Sequence, residues 1–263
     1  MAYADQTVAP FATRALPVRR IAQADLDWAL AEGWKDFRAR RGDVLLLPIV
    51  YTVAGLLAAA LCLNETFLPF VFPLMAGVSI LGPAAAVGFY ELARRREQNL
   101  PSDWTHFLDP LRGRGRMKLA LLTLGLLALF AAWVLIAALI HGQTLGRLGS
   151  LGLADFFRDM VSTPQGWALI IAGNLAGFIF AVAALVLTMV SFPMIVDKPA
   201  SATTAVLTSI RAARANPAAV AGWGLRVAGL LVLGSLPLFA ALPVVIPVLG
   251  YATWHLYTRL VVR

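Results

Sequence analysis

Apolar residues in this chain run in long blocks, without the strict alternation of half-buried strands. The blocks cover about Val44–Leu63, Phe67–Tyr90, Leu119–Ile140 and Trp167–Pro193, and a last stretch from about Ala218 to Tyr257. That last stretch is broken near Ser235-Leu236-Pro237. A helix needs about 20 apolar residues to cross the bilayer core. The pattern therefore predicts six transmembrane helices, the final two sharing the broken stretch and each barely long enough. A re-entrant hairpin is the alternative there. The expected fold class is all-α, a polytopic membrane helix bundle. Residues 1–43 form a cytoplasmic N-terminal segment with an amphipathic helix, and residues 44–263 the six-helix transmembrane domain.

Between the blocks lie shorter segments with helical spacing, one before each hydrophobic hairpin. The first, Gln23–Arg41, places Leu26, Leu30, Trp34 and Phe37 on one stripe. Asp25 and Asp27 stand at its start and Arg38, Arg40 and Arg41 at its end, as the helix dipole favours. The second opens with Pro101-Ser102-Asp103-Trp104, an N-cap pattern, and continues through Phe107 and Leu108. The third, Ser201–Asn216, carries Val206, Leu207 and Ile210 against Arg211 and Arg214, and stops before Pro217. Two readings fit these segments: helices lying in the headgroup plane, or amphipathic helices packed on the cytoplasmic side of the bundle.

Composition agrees with the blocks. Of 263 residues, 60% are hydrophobic and 14% charged, and the mean hydropathy is +0.77. Soluble domains carry roughly a quarter charged residues, so a soluble globular or disordered chain is excluded. The net charge of +8 is explained by membrane topology rather than by nucleic acid, for no basic motif interleaved with aromatics is present. Arg14, Arg19, Arg20, Lys35, Arg38, Arg40 and Arg41 precede the first span. Arg94, Arg95, Arg96, Arg112, Arg114, Arg116 and Lys118 separate the second from the third. Lys198, Arg211, Arg214, Arg259 and Arg263 fall on the same side, against Arg147 and Arg158 on the other. The positive-inside rule then puts both termini in the cytoplasm of a bacterial inner-membrane protein. No cleavable signal core precedes the first span. The single cysteine, Cys62, lies in an apolar block and reads as a small hydrophobe.

The string Leu81-Gly82-Pro83, then Gly88-Phe89-Tyr90-Glu91-Leu92-Ala93-Arg94-Arg95-Arg96-Glu97, with Trp104 downstream, resembles the bacterial integral-membrane family called domain of unknown function 2189. Asp27 through Phe37 and Ser191-Phe192-Pro193 are similar to it as well. The resemblance implies an inner-membrane protein and carries no settled activity. Labels attached to the family include a cytochrome oxidase subunit. A haem–copper catalytic subunit needs several intramembrane histidines, and here only His255 lies near a span.

Few residues offer chemistry. Arg226 is the one charge well inside a block, roughly 13 Å from its start at 1.5 Å per residue. It is read either as a contact to a partner, lipid phosphate or polar cavity, or as a side chain snorkelling to the headgroups. No acidic residue shares its span. Gly82-Pro83 kinks the second span, for packing or to line a path. Glu91 can pair with Arg95 four residues on, and Glu91 with Arg94, Arg95 and Arg96 is expected to anchor the chain at the headgroups. Trp34 and Phe37 join them as lipid or partner contacts. Gly173-Asn174-Leu175-Ala176-Gly177 is a Gly-x-x-x-Gly packing pattern, read as internal packing or as contact with another chain. His106 and His141 fall on opposite sides of the membrane. No catalytic, cofactor-binding or metal-ligating constellation is present, so neither an enzyme nor a bound cofactor is expected.

The function expected first is an accessory or assembly protein docking onto a larger energy-transducing complex, respiratory or photosynthetic, with anionic lipid headgroups as further partners. The alternatives are a small transporter or channel of repeated hairpins, or a lipid-binding membrane organiser.

Overall fold

The computed structural model describes residues 15–44, 79–148, 153–237 and 240–263, together with Val53, Leu56 and Ala60. Most of the first predicted span, the second as far as Val78, and Cys62 lie outside the described residues. Among those described, the regular elements are helical apart from one antiparallel bridge, Val18 to Val261.

Helix α1 spans Gln23–Val44, α2 Gly82–Ala85 and α3 Val87–Glu97. A 3-10 turn, Trp104–Leu108, leads into α4, Asp109–Arg112. Then follow α5 (Arg116–Gln143), α6 (Leu153–Ser162), α7 (Pro164–Thr188), α8 (Ser191–Asp197), α9 (Ala202–Ala215), α10 (Pro217–Ser235) and α11 (Leu242–Leu260). Among the described residues, three stretches are long and apolar enough to cross a membrane: Arg116–Gln143, Pro164–Asp197 and Pro217–Ser235. They correspond to the third, fourth and fifth predicted spans, and the Ser235-Leu236-Pro237 break is where α10 ends.

The sixth predicted span is α11, and it differs from the other three. Its second half carries Trp254, His255, Tyr257 and Arg259, which lower its hydropathy. Trp254, Leu256, Tyr257 and Leu260 are fully buried against protein. It packs on α1 and α3, and both crossings rest on glycines. A β-carbon on Gly33 would sit 2.6 Å from the Ala252 nitrogen, and one on Gly250 would sit 2.8 Å from Phe89 Cβ. Only hydrogen at these positions lets the helices approach so closely.

Helices form at the first and third of the predicted amphipathic segments, with buried faces other than those the pattern suggests. On α1 the buried stripe is Leu26, Ala29, Gly33, Asp36 and Phe37, while Trp34 points outward. On α9 the large residues Val206, Leu207 and Ile210 are the less buried ones. The face packed into the protein is Ala202, Thr204, Ala205, Thr208, Ser209, Ala212 and Ala213. The second segment is a 3-10 turn capped, as expected, by Asp103, whose side chain accepts from the Thr105 amide. The first and third helices are thus docked on protein through small residues. An amphipathic helix at the other end of the bundle, α6, was not anticipated. Its Phe156 packs with Leu145, while Phe157 and Val161 face outward.

Prolines explain where spans break. Pro193 has no N–H to offer the Met189 carbonyl, and α7 gives way to α8 at Met189-Val190. The buried Ser209 hydroxyl inserts into the gap. It accepts from the Val190 amide (3.2 Å) and donates to the Val186 carbonyl (2.7 Å), the two groups a continuous helix would have joined. Pro83 stands in the first turn of α2, just after a turn at Leu81, and a second turn at Ala86 separates α2 from α3.

The two ends of the described chain meet. Arg19 N–H donates to Leu260 O (2.7 Å) and Val262 N–H to Pro17 O (3.2 Å). Thr208 and Asn216 of the α9 region accept from the Leu16 and Ile21 amides. This end, where α1, α3, α8, α9 and α11 converge, holds most of the fully buried core and is the polar end of the molecule.

Candidate functional site

The polar end is held together by a belt of charged side chains, with Glu91 at its centre. Glu91 is 5% exposed. It accepts from Arg94 Nη2 (2.6 Å) and Nε (2.9 Å) and from Arg95 Nε (2.9 Å). The expected i,i+4 pair is present, and an i,i+3 pair joins it. The Glu91 hydrogen bond pushes the Arg94 guanidinium above its ordinary range. Arg94 also reaches Gln98, and Arg95 reaches Asp109 Oδ2 (3.0 Å) and the Pro101 carbonyl (3.0 Å). Arg96 pairs with Asp36 of α1 at 3.2 Å. The three arginines expected at the headgroups therefore spend much of their donor capacity inside the protein, Arg94 on its own helix and its cap, Arg95 also on α4, and Arg96 on α1. Because a buried carboxylate is stable only when paired, Glu91 and Asp36 dictate where these arginines point.

Asp36 joins a second strand of the belt. His255 Nε2 lies 2.7 Å from its carboxylate. The Trp28 ring meets His255 edge-on, and the Arg259 guanidinium stacks 4.0 Å over Trp28. Further along, Asp197 accepts from the Tyr257 hydroxyl (2.7 Å) and from Arg263 (3.0 Å), while Glu97 accepts from Trp254 Nε1 (3.2 Å) and from Arg263. The pairings of Asp36, Glu97, Asp197, His255, Tyr257 and Arg263 are not marked in the sequence. Their partners are 60 to 219 residues away, so no local spacing marks them.

The other sequence-derived residues are placed as follows. Phe37 is in the core and Trp34 is half-exposed, their rings 5.6 Å apart. Arg226, which lacks an acidic neighbour in its own span, finds one on α1. Its Nη2 lies 2.6 Å from Asp27 Oδ1, and its Nη1 donates to Gln23 Oε1 (3.0 Å) and to the Gly222 carbonyl (3.2 Å). Gly222 leaves the space that the Gln23 amide occupies. Gly82 has open space around it. The Gly-x-x-x-Gly pair divides: Gly177 packs under Trp133 of α5, whereas nothing lies within 4 Å of where a Gly173 β-carbon would be. Asn174 is exposed, and its amide donates to the Ile170 carbonyl of its own helix (2.8 Å). His106 pairs with Asp109 (2.8 Å) beside the start of α5, and His141 lies in the last turn of that helix, so the two are a helix length apart. Among the described residues, no group of three or more His, Cys, Asp or Glu side chains is placed to hold a metal ion.

No curated protein and no solved structure matches the chain. A family model does, and it covers most of the second predicted span, the belt arginines, α5, α7 and α8. Residues 71–197 match the family described as "Predicted integral membrane protein (DUF2189)", the family that the Gly82-Pro83 and Tyr90–Glu97 string resembles.

Proposed function

We propose that the chain is a non-catalytic accessory or assembly component that docks laterally onto a larger membrane protein complex through α7. The observation that carries this reading is the outward face at Gly173 and Asn174. Asn174 lies in the middle of a 25-residue span and is exposed, with the open glycine beside it. A polar side chain facing lipid is unfavourable, and a small residue next to it lets another helix approach closely and accept or donate a hydrogen bond. The belt charges, by contrast, are paired within the protein and are suited to holding it together. In this proposal the host is an energy-transducing complex of the bacterial inner membrane, and both termini are cytoplasmic.

The test is solubilisation in mild detergent followed by native electrophoresis and identification of co-migrating proteins. A stoichiometric larger complex, lost in Gly173→Leu and Asn174→Leu while the variants still fold, is expected. A lone particle, or an assembly of this chain only, would overturn the proposal.

A further inference from the structure

Beside the charged belt, where α3, α4 and α8 meet the start of α5, is a cavity of about 290 Å³. Its walls carry Arg94, Arg95 and Arg114 against Glu91 and Asp109, and its apolar side is formed by Leu119 and Ile195. Arg94 and Arg95 are held in place by Glu91, yet a guanidinium has five N–H donors, and each uses three in the contacts above. Arg114 is exposed and makes no ion pair or hydrogen bond among the described residues. The lining is net positive, and the same segment of the chain adds Arg112, Arg116 and Lys118. In the segment leading into α5, Trp104, Leu108, Leu111 and Met117 are exposed, Met117 by 73%. Basic side chains beside exposed Trp, Leu and Met at the end of a membrane-spanning helix form a surface for the headgroup level.

We propose that this cavity binds the phosphate of an anionic phospholipid, with Arg114 supplying the free charge, Arg94 and Arg95 preorganised donors, and the acyl chains lying along the outer face of α5. Glu91 then has a purpose beyond charge balance. It fixes two guanidiniums before the lipid arrives, which lowers the entropy lost on binding. The site lies away from Gly173 and Asn174, so its failure and that of the docking reading are separate.

The experiment uses the full chain in detergent, with phosphatidylglycerol retention read by native mass spectrometry, and with phosphatidylcholine and inorganic phosphate as comparison ligands. One basic side chain near a charged surface accounts for roughly a fivefold change in affinity. Arg114→Gln should lower phosphatidylglycerol retention by about fivefold and Arg114→Glu by about thirtyfold. Arg214→Gln, exposed on α9, should leave it unchanged, and phosphate should not displace the lipid. Equal retention of phosphatidylcholine would overturn the proposal, as would wild-type behaviour of the Arg114 variants. Displacement by inorganic phosphate would make this a free-anion site and equally overturn it. If Arg114→Glu does not fold, Arg114→Gln carries the comparison.

Discussion

The crossing of α1 and α11 allows a prediction with a worked sign. In Gly33→Ala the new β-carbon would lie 2.6 Å from the Ala252 nitrogen and 2.8 Å from both Ala252 Cβ and Val248 O. Non-bonded heavy atoms rest near 3.5–4.0 Å, so the helices must separate by about 1 Å. The opposing atoms are backbone and a β-carbon, with no rotamer to move aside. Overpacking of this kind costs about 1–3 kcal/mol. Alanine recovers about 1 kcal/mol of helix propensity, leaving Gly33→Ala between neutral and about 2 kcal/mol destabilised, and Gly33→Leu clearly worse. Gly125 on α5 is the contrast, since nothing lies within 4 Å of its added carbon. There alanine should be neutral or stabilising by up to about 1 kcal/mol. Thermal unfolding in one detergent at one scan rate, followed by tryptophan fluorescence, ranks the variants. The same sign at both glycines, or a Gly33→Leu protein as stable as wild type, would refute the close-approach argument.

Ser209→Ala should destabilise the α7–α8 break by about 1–3 kcal/mol, because two buried backbone groups lose their bridging hydroxyl; denaturation of the purified protein checks this. Glu91→Gln should cost about 2–4 kcal/mol by leaving Arg94 and Arg95 without their shared anion, while Glu91→Asp should recover part of the loss in the same unfolding assay. For Arg226, a double-mutant cycle of Arg226→Leu with Asp27→Asn should give a coupling of about 1 kcal/mol, and zero coupling would mean the two charges do not act as a pair. The Thr105 hydroxyl and amide hold the Asp103 carboxyl below its usual range. Its cap is therefore present above the unfolded carboxyl value of about 4 and lost as pH falls through the lower folded value. Asp103→Ala and wild type should accordingly converge in stability in acid. For the proposed topology, a cysteine at Ser162 in a Cys62→Ser background should react with an impermeant reagent from outside the cell, and one at Arg214 should not.

Much of the fold is legible in the linear pattern because a bilayer imposes a simple length rule. The three blocks at Leu119, Trp167 and Ala218 became α5, α7 and α10, and Asp103, Asn216 and the Ser235–Pro237 break act where local chemistry put them. The pairing of Glu91 with Arg95 was readable for the same reason, since it lies within one turn of helix.

Which face of each helix meets protein was decided by the tertiary structure. Hydrophobicity measures what leaves water, and in a membrane both lipid and protein satisfy that demand. Large apolar residues are then poor guides to packing, and small ones decide how closely backbones approach. That is why α1 buries Ala29 and Gly33 and turns Trp34 outward, and why α9 buries alanine, serine and threonine while exposing Leu207. It is also why the second half of α11, with Trp254, Leu256, Tyr257 and Leu260, is buried against protein. The partners of the charges were hidden for a related reason. Arg226 needs Asp27, and Asp36 needs His255 and Arg96, but each pair is separated by tens to hundreds of residues and is brought together only by the crossings that the glycines permit.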